Sequence, residues 1–127
     1  MMIKKILIVD DSPFSIKIMK SCIPKDNDYE IHDASDGRMA IEKYKEVRPD
    51  LTFLDLTMPV MNGYQALEEI IKIDPRAMVI IVTADVQIKA IEKAHELGAF
   101  AVVKKPPAKE SIEQALKEAN QYLMERG

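Results

Sequence analysis

ILIVDDSP, residues 6–13, ends an apolar run in two adjacent carboxylates and follows them with Ser12-Pro13. Continuous apolarity over so short a length reads as a strand covered on both faces, the habit of parallel sheets. Ser12 suits a helix cap, and Pro13 fits the first helical position, where its missing N–H loses nothing. The stretch is therefore a buried strand that delivers Asp10 and Asp11 to one spot and turns at once into a helix. Neighbouring like charges repel, so the pair points to a cation held between them and a further group.

The same alternation continues outward. Apolar runs KKILIVD (4–10), YEIHDA (29–34), DLTFLD (50–55), AMVIIVTA (77–84) and AFAVVK (99–104) are separated by helix-period segments. After the helix capped by Ser12, a second is opened by Ser35 or Asp36, with Ala40, Ile41, Tyr44 and Val47 as its inward stripe. A third begins at Asn62 and carries Ala66, Leu67, Ile70 and Ile71; a fourth spans 86–97 and stops at Gly98, suited to a left-handed cap. The fifth covers 108–125, with Ile112, Ala115, Leu116, Ala119 and Leu123 on one face. Strands alternating with helices in this way predict right-handed crossovers and an α/β doubly wound parallel sheet of five strands flanked by five helices.

At 127 residues the chain suits one domain, 1–127, with no internal repeat or linker. A net charge of −3 gives no basic face, which argues against direct binding of nucleic acid. Cys22, the single cysteine, has no partner for an internal disulfide, as expected in a reducing compartment. Asp10 and Asp11 interrupt the first apolar run too early for a signal peptide or a membrane span. The expectation is a cytoplasmic domain without membrane insertion.

In doubly wound sheets, ligands bind beyond the carboxyl ends of the strands. Here those ends carry Asp10 and Asp11, then Asp55, then Thr83 and Ala84, then Lys104-Lys105-Pro106. Three carboxylates, a hydroxyl and an ammonium on one rim can hold a divalent cation and handle a phosphoryl group. Carboxylates, a carbonyl and water suit Mg2+, which keeps part of its hydration and bridges to phosphate. Asp55, before the turn Leu56-Thr57-Met58-Pro59, is the carboxylate best placed to attack phosphorus and form an acyl phosphate. Asp10 and Asp11 would hold the metal, Lys105 would face Asp55 as its counter-charge, and Thr83 would bond a phosphoryl oxygen. Taken singly, each residue has a structural explanation: a solvated acid pair, a turn Asp, a strand-end Thr. Their shared location is what overturns those explanations.

With VDDSPF (9–14), FLDLTMPVMNG (53–63), IVTA (81–84) and GAFAVVKKP (98–106) in this order, the chain resembles a response-regulator receiver domain, most closely the stand-alone CheY type. Strand order 2-1-3-4-5, for which the CheY type is the standard example, is carried over from the resemblance. The resemblance implies that Asp55 accepts a phosphoryl group from a phosphohistidine on a sensor histidine kinase or phosphotransfer protein. It implies Mg2+ ligated by Asp11, Asp55 and the Thr57 carbonyl, with Asp10 acting chiefly through water. Thr83 and Lys105 match the switch hydroxyl and the phosphate-binding lysine, and Lys105–Pro106 matches a cis peptide. The output would be binding of a downstream target protein (motor, relay or adaptor) rather than classical catalysis.

Thr57 and Asp85 stand where the resemblance implies control of the hydrolytic water. One departure is Val102, three residues before Lys105, where the family usually has an aromatic. Strand alternation places Phe100 on the same face as Val102, so the expectation is either a weakened rotameric switch or Phe100 or another group standing in for that aromatic. Val102 also keeps a second reading open, a pseudo-receiver that binds partners without phosphorylation. A haloacid-dehalogenase phosphatase fits poorly, because its second Asp would fall at Thr57.

Among the other residues, Lys104 is expected to be solvated, His32 and His95 to be ordinary surface or half-buried groups, and Cys22 to be a small buried hydrophobe. Met58 and Met61 are expected to border the acid pocket. Phe14 is expected either to touch a kinase or to pack within the first helix.

Overall fold

The computed structural model describes residues 2–58 and 61–126, apart from the side chain of Asp26. Pro59 and Val60, within the 53–63 motif, lie outside the described residues. Five parallel strands, β1 (Lys5–Val9), β2 (Glu30–Ala34), β3 (Leu51–Asp55), β4 (Val79–Thr83) and β5 (Ala101–Lys104), form one sheet in the order β2-β1-β3-β4-β5. Between and after them run α1 (Pro13–Cys22), α2 (Gly37–Val47), α3 (Gly63–Ile73), α4 (Ile88–Glu96) and α5 (Lys109–Arg126), with a short 3-10 turn at Lys25–Asn27. The expected doubly wound α/β order is the observed one.

The inner strands are those with continuous apolar sequence. All five residues of β3 and of β4 are buried, as are Ile6 to Val9 of β1, whereas the edge strands β2 and β5 are only partly covered. Alternate residues feed two cores. Ile6, Ile8, Phe53 and Ile80 pack on the α1 and α5 side, with Ile16, Ile112 and Leu116. Leu7, Leu54 and Ile81 pack on the other, with Ala40, Leu67 and Ile70 from α2 and α3 and Ala94 from α4. Full burial of a side chain such as Leu67 or Ile70 contributes about 1.5–3 kcal/mol each. The helices are thus fixed by their apolar stripes more than by intrinsic propensity.

Caps fix where the helices begin. Ser12 Oγ accepts from Ser15 N at 3.2 Å, and Asp36 Oδ1 accepts from Met39 N at 2.8 Å, so Asp36 rather than Ser35 opens α2. Asn62 and Gln65 form a reciprocal capping box at α3, with bonds of 3.0 and 3.1 Å. Gly98, after α4, has φ +110, a conformation that side chains rarely adopt. The expected extent 86–97 of α4 is trimmed to Ile88–Glu96, whose N-cap Gln87 makes no side-chain cap bond.

Phe100 corrects an expectation. It does not share a face with Val102: Phe100 packs on the α1–α5 core, its ring 5.3 Å from that of Tyr122, while Val102 packs on the opposite core. The two-residue alternation holds only inside a strand, and β5 begins at Ala101, so counting back through Phe100 carries the rule past its domain. Phe100 therefore does not lie on the face of the missing aromatic at 102.

Candidate functional site: an acidic rim with one ammonium

The carboxyl ends of β1 and β3 lie side by side, Val9 opposite Leu54, and this brings the acids together. One carboxylate oxygen from each of Asp10, Asp11 and Asp55 lies within 4.8 Å of the others. Asp10 and Asp55 are buried, 4% and 6% exposed, while Asp11 is exposed. Asp10 is fixed by its backbone N–H to Ala34 O at 3.1 Å and by Ser12 N, which donates to its Oδ1 at 3.0 Å. The strand-to-helix turn therefore serves the acid as well as the helix cap.

Lys105 crosses from the end of β5. Its backbone N–H bonds Thr83 O at 2.8 Å, its peptide bond to Pro106 is cis, and its ammonium lies 2.7 Å from Asp10 Oδ2 and 3.5 Å from Asp55 Oδ1. The expected counter-charge of Asp55 thus sits closer to Asp10. The electrostatics agree with that geometry. Burial pushes the Asp55 carboxyl above its ordinary 3.8, the charges of Asp10 and Asp11 add to this, and Lys105 offsets only part of it. Burial alone would lower the Lys105 ammonium, but its bond to Asp10 and the charges of Asp55 and Asp10 hold it above its ordinary value. Asp55 is a buried carboxylate short of positive charge.

Thr83, 5% exposed, accepts from Asp85 N through Oγ1 at 3.1 Å, which leaves its own proton free to donate. Beside it opens a cleft of about 340 Å³ lined by Thr57, Met58, Asn62, Tyr64, Thr83 and Asp85, with Leu56 at its base. Thr57, Thr83 and Asp85 thus line one cleft. Met58 borders the cleft, but Met61 does not; it packs where a side chain on Gly37 would stand, toward α2.

Tyr64 was not foreseen. Its hydroxyl is 3.5 Å from Ala90 O and its ring carries the Lys93 ammonium at 4.2 Å, tying the wall of the cleft to α4. A tyrosine one residue into a helix gives no sequence signal for that role. Gly63 has a stricter reason for being glycine: a Cβ there would strike the Asp55 carbonyl oxygen and lie 2.5 Å from Leu56 Cα. Only a bare backbone lets α3 start against the end of β3.

Remaining expectations fall outside the rim. Phe14 is 71% exposed, so it does not pack within α1. Lys104 is exposed, Cys22 is buried, His32 pairs with Glu30 at 2.7 Å and His95 Nδ1 contacts Ala99 O at 3.0 Å. A larger cleft of about 550 Å³ between Pro24 and α5 contains none of the rim residues.

The carboxylate set fits a hard divalent cation. Oxygen donors within 4.8 Å of one another suit first-sphere distances near 2 Å, and two of the three are already held by burial. Residues 6–117 match the family model of the response regulator receiver domain. This chain belongs to the response regulator receiver family. It is 42% identical over 114 residues to the chemotaxis protein CheY of Thermotoga maritima, covering 89% of this chain and 94% of that protein. Among solved structures, a CheX–CheY–BeF3–Mg2+ complex from Borrelia burgdorferi superposes with a TM-score of 0.86 at 30% identity, covering 91% of this chain and 87% of that one. A CheY-like receiver domain protein from Methanospirillum hungatei JF-1 gives a TM-score of 0.89 at 26% identity, with 98% and 99% covered. Receiver domains are signalling units of two-component systems rather than classical enzymes. No helix among the described residues of this receiver is long and apolar enough to cross a membrane.

Proposed function

We propose that this receiver accepts a phosphoryl group on Asp55 and uses it to switch binding of a downstream protein, as a chemotaxis-type response regulator. The observation that carries the proposal is the gathering of Asp10, Asp11 and Asp55 within 4.8 Å, with the Lys105 ammonium between two of them. An Asp55 oxygen attacks the phosphorus of a phosphohistidine on a sensor kinase or phosphotransfer protein. The P–N bond breaks, its electron pair returns to the imidazole, and an aspartyl phosphate remains. Burial and the neighbouring acids raise the energy of the Asp55 charge before transfer. Lys105 and the Thr83 hydroxyl then bond the phosphoryl oxygens.

Asp10, Asp11, Asp55 and the Thr57 carbonyl would hold Mg2+, which when bound offsets charge on the transferring group. The Mg2+ in the related Borrelia complex supports that choice of ion. Thr57 and Asp85, on the cleft beside Thr83, stand where water would approach the acyl phosphate. The domain would work as one receiver unit over 1–127 in the cytoplasm with protein partners and no membrane insertion; the net charge of −3 supports proteins rather than nucleic acid as partners. Relatives named CheY and the CheX complex favour a chemotaxis pathway, with a motor, relay or adaptor protein as target.

Incubation with acetyl phosphate and Mg2+ tests this reading. The wild type should gain the mass of one phosphoryl group, and neither Asp55→Asn nor an EDTA-treated sample should. No gain in the wild type would favour the pseudo-receiver that Val102 keeps open.

A further inference from the structure

At the opposite end of the sheet, where β3 and β4 begin, Arg48, Arg76 and Arg126 line one cleft of about 200 Å³ with Tyr44, Asp50 and Asp74. Strands of five residues place it about 17 Å from the acidic rim. Among the described residues, none of the three guanidiniums takes part in an ion pair. The two acids that line the cleft accept hydrogen bonds from other groups than these guanidiniums. Asp50 Oδ2 accepts from Lys4 N and Lys5 N at 2.9 Å each, and Asp74 accepts from Arg76 N at 3.0 Å and from the Tyr44 hydroxyl at 3.2 Å.

One guanidinium is held in place, that of Arg126, while Arg48 and Arg76 are exposed. Arg126 donates through Nη1 to Arg76 O at 2.7 Å and lies 5.8 Å from the centre of the Tyr122 ring, which leaves the rest of its fork free. Arg48 caps α2 with φ +51 and ψ +63, a left-handed conformation that glycine adopts more easily. An arginine at that position forgoes stability that glycine would supply. Burial and Asp74 push the Tyr44 hydroxyl well above its usual range, while Arg48 and Arg126 pull the other way, so both charges act within the cleft.

We propose that this cleft binds a compact phosphate-bearing anion of pyrophosphate size on Arg48, Arg76 and Arg126. Guanidinium forks match phosphate oxygens two at a time, and three of them answer a ligand with several negative charges better than a single carboxylate. A cleft of about 200 Å³ accepts a diphosphate but not a whole drug-sized ligand.

Titration calorimetry of the full chain with inorganic pyrophosphate, at low salt in EDTA, tests the site. Saturable one-to-one binding is expected, weakened about tenfold or more by Arg76→Gln or Arg126→Gln and unchanged by Lys105→Ala at the acidic rim. Arg48→Gly should weaken binding similarly while raising the melting temperature, a combination that loss of fold does not produce. A parallel titration with ATP separates sources: tighter binding than pyrophosphate assigns the diphosphate to a nucleotide tail, and equal or weaker binding assigns it to the free ion; both support the site. No saturable binding in the wild type, loss in Lys105→Ala, or undiminished binding in the three arginine variants would overturn it. Labelling of Asp55 is a separate readout, so failure here leaves the phosphoacceptor reading standing.

Discussion

Asp50 stands just before β3 and Asp55 ends it, and the two carboxylates have opposite surroundings. Asp50 accepts two backbone N–H groups, from Lys4 and Lys5, and so bolts the start of β1 to the start of β3. Asp55 has no backbone donor among the described residues; its one cationic neighbour, Lys105 at 3.5 Å, is nearer to Asp10, and two further acids crowd it. The same residue type at two ends of one strand is filled by backbone amides in one place and left to a single shared ammonium in the other. A carboxylate whose lone pairs are filled by amides is structural, and one short of donors is available to an electrophile.

The largest effect that could break this contrast lies in chemistry. Asp55→Asn should abolish acetyl phosphate labelling, whereas Asp50→Asn should leave it within about twofold, since Asp50 lies at the far end of the strand. Mass spectrometry of the intact chain reads both. Equal losses in the two variants would erase the distinction.

Next comes Gly63→Ala, whose new Cβ meets backbone that cannot yield. A loss of about 2–4 kcal/mol in denaturant unfolding is expected, with weaker labelling because the end of β3 must shift. Asp50→Ala should follow at about 1–3 kcal/mol, the scale for hydrogen bonds to a charged acceptor left unmade.

Asp55 itself should act in the other direction. Its pKa in the folded chain is raised, so ionisation opposes folding, and stability falls as pH rises through the folded pKa. In EDTA, Asp55→Asn should therefore melt higher than the wild type at neutral pH, and the gap should close as pH falls toward the ordinary 3.8. A gap that widens in acid would mean that the Asp55 charge is stabilised by its neighbours. The smallest effect belongs to Thr52, fully buried in β3, whose Oγ1 has no hydrogen-bond partner among the described residues. Thr52→Val keeps the shape and removes the orphan, so thermal unfolding should show no loss and a gain of up to about 1 kcal/mol.

Much of this was legible in the chain. The unbroken apolarity of ILIV, TFL and VIIV marks strands buried on both faces, and β1, β3 and β4 are the three inner strands. Motifs at strand ends converge because parallel strands carry all their carboxyl ends to one side. Phe100 was misplaced because a face assignment depends on where a strand starts, and boundaries are the weakest part of a pattern argument. Tyr64 and the arginine cleft were invisible for another reason. Arg48, Arg76 and Arg126 are distant in sequence, share no spacing rule, and meet only because α2, the turn after α3 and the end of α5 reach the same end of the sheet.

The sequence by itself determined the order of elements, the two faces of the inner strands and the set of groups at the strand ends, because periodicity and chain direction are local properties. Only the tertiary structure decided which acid holds Lys105, why Gly63 admits no side chain and which Asp is left without backbone donors. Those outcomes depend on distances of a few ångströms between separate segments, and Coulombic and hydrogen-bond energies change steeply over that range.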